Sequence, residues 1–216
     1  MKESTVYLSS AYLAPIQYYV HLYAHKQCLI EQYENYTKQT YRNRCLIAAA
    51  DGPLALTIPT ERPQESKCLM RDIRISDHGK WRHLHWNALE SAYRTSPYFE
   101  YYADDFRPFY EQKYTFLMDF NERLCDLICT LLDFQPNLGR TNDYKTDFTP
   151  DELDAREFIS PKKEYTDDNL FHPISYYQVF QEKHGFLPNL SIVDLLFNMG
   201  PEGLLILRDS MNPLNK

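Results

Sequence analysis

The chain has 216 residues, of which 44% are apolar and 25% are charged. This length suits a single domain, and the composition excludes a disordered, collagen-like or disulfide-dense protein. Only 6 glycines accompany 18 tyrosines and 12 phenylalanines. These glycines cannot form the signatures of dinucleotide-binding folds, P-loop nucleotidases or serine hydrolases. We therefore expect none of these functions, and the sequence predicts no cofactor.

The net charge of −7 is unevenly distributed along the chain. Residues 1–100 carry 12 Lys or Arg against 10 Asp or Glu, whereas residues 101–216 carry 11 against 20. Nucleic acids and anionic membranes require a basic surface, so neither is an expected partner. No segment has the length and apolar content that predict a membrane span. Any anionic ligand is expected to bind to the first half.

The cysteine pattern indicates a reducing environment. The five cysteines are odd in number and include no C-x-x-C pair, which predicts free thiols and a cytoplasmic location. Cys125 and Cys129 are four residues apart on a predicted helix, but no second pair exists to complete a zinc site. No metal is therefore predicted.

The first half is predicted to be rich in strands, with helices between them. A short strand at 6–8 leads into a helix that Pro15 can begin and that runs to about residue 24. His21 and His25 lie on the face opposite its apolar stripe. Exposure to solvent is the simplest interpretation, and a metal-binding pair is the alternative. Further strands are predicted over 29–33, 45–50, 54–58 and 70–76, with a hairpin turn at Asp51-Gly52.

From residue 80 the apolar period changes to that of helices. Helices are predicted over 81–96 and 115–134, with an aromatic, acidic stretch over 98–110 between them. Residues 140–170 are acidic and poor in aliphatic side chains; a solvated loop and a mobile lid are the two interpretations. Ser191 begins a last helix that ends at Gly200, and Asp194 is interpreted as its cap. The chain is thus predicted to be one mixed α/β domain over 1–216, with a β-rich first half and a mainly helical second half.

Three clusters carry residues suited to binding or catalysis. Arg42-Asn43-Arg44 suits a phosphate or carboxylate, because guanidinium groups bind such anions bidentately; an exposed edge with ion pairs is the alternative. In the predicted helix 81–96, Glu90 and Tyr93 belong to a mixed polar and aromatic stripe. His85 faces inward on the same helix, either as a buried, hydrogen-bonded histidine or as a general base at the floor of a cleft.

The third cluster lies between residues 176 and 191. It contains Gln178, His184 and Asn189. His184 precedes a glycine and a turn, from which side chains often reach ligands. The alternative is a histidine that stabilises the carboxyl end of a helix.

Long segments of the chain resemble the WbqC-like protein family. The resemblance lies in residues 31–44, in His85-Trp86 with the segment 89–102, and in residues 188–202. Many members have His-Gln-Pro-Asn before Tyr-Phe-Pro, whereas this chain has Leu8-Ser9-Ser10-Ala11 before Tyr12. It also lacks their Ser-Gly-x-Gly stretch in 140–175. Members occur in gene clusters for O-antigen and related surface polysaccharides.

The resemblance implies a transferase that attaches an acyl or aminoacyl group, such as glycine, to an activated sugar. The expected partner is a small molecule, a sugar or nucleotide sugar; the oligomeric state is not predicted. Arg42, Asn43 and Arg44 would hold its anionic group, and His85 or His184 would accept the proton. The remaining candidates for substrate binding are Tyr12, Glu90, Tyr93, Gln178 and Asn189. The alternative is a non-catalytic carbohydrate-binding or assembly protein of the same pathway.

Overall fold

The computed structural model describes residues 2–62 and 67–212. A parallel sheet with the strand order β5-β2-β1-β6 combines two strands from the first half with two short strands from the second. Its strands are β1 (Lys2–Ser9), β2 (His25–Glu31), β5 (Leu138–Arg140) and β6 (Glu152–Asp154). In the central pair, Val6 lies opposite Cys28 and Leu8 opposite Ile30, and all four are buried. The predicted strand at 29–33 is thus displaced, because β2 begins four residues earlier and ends at Glu31.

Helix α1 (Ile16–Ala24) connects β1 to β2, as predicted. The prediction that His21 is exposed is wrong, because its side chain is fully buried. His21 Nε2 lies 2.8 Å from a carboxylate oxygen of Asp168, which also accepts a hydrogen bond from Gln17 Nε2 at 2.8 Å. Polar residues can occupy the buried face of α1 because they are paired there.

The predicted hairpin is confirmed. It consists of β3 (Arg44–Ala49) and β4 (Gly52–Thr57), which pair antiparallel. The two connecting residues are Ala50 and Asp51, one position earlier than expected. Gly52 is the first paired residue of β4, and its φ of +113° explains why glycine is needed there.

The segment 70–76 does not form the predicted strand. A 3-10 turn occupies Met70–Asp72, and single bridges follow at Arg74 and Ile75. Ile73 and Ile75 are buried as their alternation suggests, but the segment makes only single bridges, to Phe116 on one side and to Thr60 on the other. On the side of Phe116, Ile75 N donates to Thr115 O and Ile73 O accepts from Leu117 N. The alternating apolar pattern therefore identified a buried segment, but this segment does not pair continuously with any one strand.

The second half is mainly helical, as predicted. Its helices are α2 (Trp81–Tyr93), α3 (Phe99–Glu111), α4 (Leu117–Leu131), α5 (Gln181–His184), α6 (Ile192–Met199) and α7 (Gly203–Asp209). Phe197 of α6 packs against Tyr93, Phe99 and Phe106 at centroid distances of 5.3, 5.1 and 5.2 Å, which joins α2 and α3 to α6. Within the described ranges, no helix has the length and apolar character to cross a membrane.

The acidic segment 140–170 contributes structure to the sheet. β6 lies within it and pairs with β1, while β5 directly precedes it and pairs with β2. Ala155 and Ile159 are buried after β6. This segment is therefore partly packed against the fold rather than wholly solvated, and its movement as a lid stays a prediction.

Candidate functional site

The carboxyl ends of the parallel strands meet at one edge of the sheet. β1 ends at Ser9, β2 at Glu31, β5 at Arg140 and β6 at Asp154. In open α/β sheets, ligands bind in the crevice outside the carboxyl ends of the strands. The polar and charged residues at these four ends therefore mark this edge as the candidate functional site.

A cavity of about 240 Å³ lies at this edge, between the strand ends and α4. We call it the main cavity because of its place at this edge; the described residues also form wider clefts of about 420 and 720 Å³. Its polar walls come from Ser10, Asn121, Glu122, Asp126 and Arg140, and Tyr18, Ile30 and Leu138 supply apolar surface. A few placed polar groups in a largely apolar concavity are typical of small-molecule sites.

A second cavity lies beside the main cavity and is called the small cavity. It shares Ser10, Ala11 and Tyr18 with the main cavity, and its other walls include Arg42 and Arg156. Its volume is about 10 Å³, close to the minimum that holds one water molecule. The two cavities are therefore neighbouring parts of one edge.

A buried ion pair lies at the wall of the small cavity. Arg42 Nε donates to Glu34 Oε1 at 2.7 Å, and Arg42 Nη2 donates to Glu34 Oε2 at 2.5 Å. The hydroxyl of Ser9 donates to Glu34 Oε2 at 3.1 Å and accepts from Arg42 Nη2 at 2.8 Å. Glu34 and Arg42 thus form a bidentate pair that includes the last residue of β1.

Backbone contacts fix Arg42 at this edge. Tyr12 N donates to Tyr41 O at 2.8 Å, which holds the segment before β3 against the chain that follows β1. Asn121 Nδ2 of α4 donates to both Ser10 Oγ, at 3.0 Å, and Arg42 O, at 2.8 Å. The segment after β1 and helix α4 therefore hold the backbone from which the Arg42 side chain extends.

The electrostatics of the pair follow from its burial. Burial raises the pKa of Glu34 and is only partly opposed by the hydrogen bonds from Arg42. Burial acts to lower the pKa of Arg42, but the hydrogen bonds and negative charges of Glu34 and Glu157 together outweigh it and hold the pKa above its ordinary value. Glu34 is thus a desolvated carboxylate held against a permanent cation.

A second buried pair extends the edge. Arg156 Nη1 donates to Glu31 Oε2 at 2.8 Å, and the other donors of Arg156 bond to Asp154 and to Lys145 O. Thr141 Oγ1 donates to Glu31 Oε1 at 2.9 Å. The ends of β2 and β6 are therefore joined across β1.

Arg140 lies at the rim of the main cavity. Its guanidinium donates to Asp119 Oδ1 at 2.7 Å and to both carboxylate oxygens of Glu122. The hydrogen bonding of Arg140 to Glu122 is the largest cause of the raised pKa of Arg140. Its side chain is 41% exposed, so a ligand in the main cavity can reach it.

His85 and Tyr12, which were both predicted to be site residues, lie together in the core. Tyr12 OH lies 2.9 Å from His85 Nδ1 and 3.0 Å from Tyr110 OH. Burial lowers the pKa of His85 to about 4, although its hydrogen bond to the backbone of Thr57 opposes the shift. The predicted inward orientation of His85 is confirmed, and its role as a general base stays a prediction.

Tyr93 and Gln178 also meet in the core, around Asp194. Tyr93 OH donates to Asp194 Oδ1 at 2.9 Å, while Tyr176 OH and Gln178 Nε2 donate to Oδ2 at 2.6 and 2.8 Å. Burial raises the pKa of Asp194. The interpretation of Asp194 as a helix cap is wrong, because its carboxylate is used in these tertiary contacts.

The other predicted site residues lie apart from one another. Asn43 Nδ2 donates to Ile58 O, and Arg44 Nε donates to Thr57 Oγ1. His184 Nε2 lies 3.0 Å from Ala50 O, and Asn189 Oδ1 accepts from Gln17 N. Glu90 is half-buried on α2. Of the predicted site residues, Arg42 alone is among the described residues that line the two cavities.

Sequence reasoning missed Ser9, Ser10, Glu34, Asn121 and Arg156. A signal existed for the first two, because they directly follow the predicted opening strand and the carboxyl ends of parallel strands form ligand sites. No periodicity marked Glu34 or Arg156, since their partners are distant in sequence or lie in irregular segments.

Comparisons with known proteins agree with the resemblance of this sequence to the WbqC-like protein family. The model of the WbqC-like protein family matches residues 10–206. An uncharacterized protein of Mycobacterium tuberculosis, Rv1507c, is 32% identical over 188 residues, covering 77% of this chain and 81% of that protein. No solved structure matches the chain significantly. The matched range includes Ser10, Glu34, Arg42 and Asn121, and the chain belongs to the WbqC-like protein family.

Proposed function

We propose that this protein is a transferase that binds an activated sugar at the carboxyl edge of its parallel sheet. It would attach an acyl or aminoacyl group, such as glycine, to an amine or hydroxyl of that sugar in the synthesis of a surface polysaccharide. The observation that carries the proposal is the main cavity beside the buried pair of Arg42 and Glu34. A cytoplasmic location accompanies this proposal.

The residues at this edge suit the parts of such a substrate. Arg42 would bind its phosphate or carboxylate, because a guanidinium group offers several parallel donors to these anions. Ser10, Asn121 and Arg140 would bind sugar hydroxyls, and Tyr18 would supply apolar surface. Asn43 and Arg44 were predicted from sequence to bind the anion, but this proposal does not use them, because their described contacts lie at β4 and just after it.

Acyl transfer requires a group that accepts a proton. As the sugar nitrogen or oxygen bonds to the acyl carbon, the bond from that carbon to the leaving group breaks, and the attacking atom loses its proton. Glu34 is our preferred acceptor, since it is at this edge and burial raises its pKa. His85 and His184 remain the acceptors predicted from sequence. Glu34→Gln, His85→Gln and His184→Gln separate the three, provided that circular dichroism shows each variant to be folded, because Glu34→Gln leaves Arg42 without its buried carboxylate partner.

A non-catalytic carbohydrate-binding protein is the second candidate. It is favoured by the composition of the cavity walls, where the described lining residues include no histidine. The two candidates differ in one outcome. Incubation with a nucleotide sugar and an acyl or aminoacyl donor should increase the mass of the sugar if the protein is a transferase and leave it unchanged if it only binds.

A thermal-shift screen tests the proposed site. Nucleotide sugars, acyl-CoA and free glycans would be compared, and a bound ligand at 100 to 1,000 times its Kd should stabilise the fold by roughly 2 to 4 kcal/mol. Arg140→Ala and Arg44→Ala form a matched pair, since each removes one partly exposed arginine. We expect Arg140→Ala to reduce the shift and Arg44→Ala to preserve it. The reverse result would place the ligand at Arg44 and contradict this site.

A further inference from the structure

Arg42 has two carboxylate partners in very different surroundings. Glu34, the inner partner, has a side chain that is 6% exposed. Glu157, the outer partner, lies 2.9 Å from Arg42 Nη2 through Oε1, and its side chain is 73% exposed. The arginine itself is 4% exposed. The buried guanidinium therefore contacts a carboxylate that is itself largely exposed to solvent.

The chain on both sides of Glu157 is anchored. Ala155 N donates to Tyr7 O at 2.8 Å, and Ala155 and Ile159 are buried. Phe158 packs against His21 with a centroid distance of 5.6 Å. Rotation of the Glu157 side chain can therefore break its contact with Arg42 while the backbone stays in place.

The contact with Glu157 is weak compared with the contact with Glu34. Ion pairs with an exposed partner typically contribute between 0 and about 1 kcal/mol. Loss of Glu157 leaves Arg42 bound to Glu34 by two hydrogen bonds, so the buried cation remains paired. An anion from solvent can thus replace Glu157 without leaving a buried charge unpaired, and the exchange conserves the local charge.

We propose that Glu157 is an internal substitute for an anionic group of the ligand, and that its position on Arg42 Nη2 is the anion subsite of this protein. The inference rests on the proposed function and adds that Glu157, a residue of the chain itself, competes with the ligand for Arg42. The group that replaces Glu157 is a carboxylate or a phosphate oxygen, because both accept from a guanidinium group in the same way. Binding of the ligand rotates the Glu157 side chain into solvent.

A titration of the wild-type protein with inorganic phosphate, and separately with acetate, tests this subsite at constant ionic strength. The Arg42 Nε–Hε resonance in a 15N NMR spectrum reports binding at the guanidinium group itself. Glu157→Gln removes the competing charge and should lower the Kd of at least one probe roughly three- to fivefold, the size of an exposed ion pair. The probe that responds identifies the anion class.

Two further variants separate competition at Arg42 from a general change in charge. Glu164→Gln makes the same charge change at an exposed position of the same segment and should leave the Kd unchanged. Glu157→Asp keeps the charge but shortens the side chain, and should lower the Kd in the same direction as Glu157→Gln. Equal effects of Glu157→Gln and Glu164→Gln, or no response of Arg42 to either probe, would overturn the inference.

These outcomes are distinct from those that test the proposed function. If nucleotide sugars bind in an Arg140-dependent manner but Glu157→Gln does not alter anion affinity, the subsite is wrong and the function stands. If phosphate or acetate competes with Glu157 but no sugar ligand binds, the subsite stands and the transferase proposal is wrong.

Discussion

Arg42 and Glu34 are joined by two parallel hydrogen bonds at a position where both side chains are almost fully buried. Removal of a charge from water costs several kcal/mol, and each member of the pair depends on the other to offset that cost. The pair is thus a structural contact at the end of β1, and its arginine lines the small cavity.

Removal of one member alone should destabilise the protein strongly. We expect Arg42→Met to lower the free energy of unfolding by about 3 to 5 kcal/mol, because Glu34 would remain as an unpaired buried carboxylate. The double variant Arg42→Met with Glu34→Leu should recover much of this loss. Urea denaturation followed by circular dichroism measures both. Lys113→Met breaks the exposed pair with Asp77 and should cost far less than Arg42→Met. A double variant no more stable than Arg42→Met would contradict the explanation.

The stability of the protein should depend on pH through His85. Its pKa of about 4 lies below the ordinary value of 6.5, so the unfolded chain binds a proton more readily than the folded one. His85 therefore contributes stability that is present above pH 6.5 and lost as the pH falls toward 4. The separation of these two pKa values corresponds to about 3 kcal/mol. Denaturation midpoints between pH 7 and 4 measure this loss.

His85→Gln should flatten the pH dependence of stability over that window. His83→Gln is the matched control, since His83 is an exposed histidine of the same helix. It should leave the dependence unchanged. An NMR titration that places the His85 pKa near 6.5 would refute the prediction directly.

Gly200 is required by both its conformation and its neighbour. Its φ is +54°, and a Cβ added there would lie 2.5 Å from Tyr98 Cδ1. Gly200→Ala should therefore lower the free energy of unfolding by about 2 to 4 kcal/mol, from left-handed strain and a steric clash together. Gly79 has a φ of +76° but open space around it, so Gly79→Ala should cost only about 1 kcal/mol. Thermal denaturation distinguishes the two, and equal losses would exclude the clash.

Regular local patterns predicted much of the fold. The apolar stripe of 115–134 predicted α4 to within a few residues at each end, because a 3.6-residue period can be read within one segment. The hairpin β3-β4 was predicted from its apolar runs and turn residues. In contrast, β5 and β6 have three residues each and carry no periodic signal. Their formation depends on β2 and β1, which lie far away in sequence.

The candidate site was harder to predict because its contacts are long-range. The sequence indicated that His21 faces away from the apolar stripe of α1, but it could not show that Asp168, 147 residues away, lies beside it. The same applies to Arg42, whose anion-binding character was predicted while its burial against Glu34 was not. Tyr12 and Tyr93 show why the tyrosine excess was ambiguous: both rings are fully buried, and both hydroxyls bond to other core residues.

Ligand binding in the main cavity should protect one cysteine selectively. Cys125 lines the main cavity and is partly exposed, whereas Cys68 is partly exposed but belongs to neither cavity described above. A bound ligand covers Cys125, so a nucleotide sugar at ten times its Kd should slow alkylation of Cys125 about tenfold. Cys68 should react at its original rate.

Peptide mass spectrometry after timed exposure to iodoacetamide measures both rates in the unmodified protein. Cys68 is the internal control, because an overall gain in rigidity would slow both cysteines. Equal protection of the two would therefore indicate stabilisation without occupancy of the main cavity. A ligand that stabilises the protein but leaves the alkylation of Cys125 unchanged must bind elsewhere. That result would contradict the proposal that the substrate binds at the carboxyl edge of the sheet.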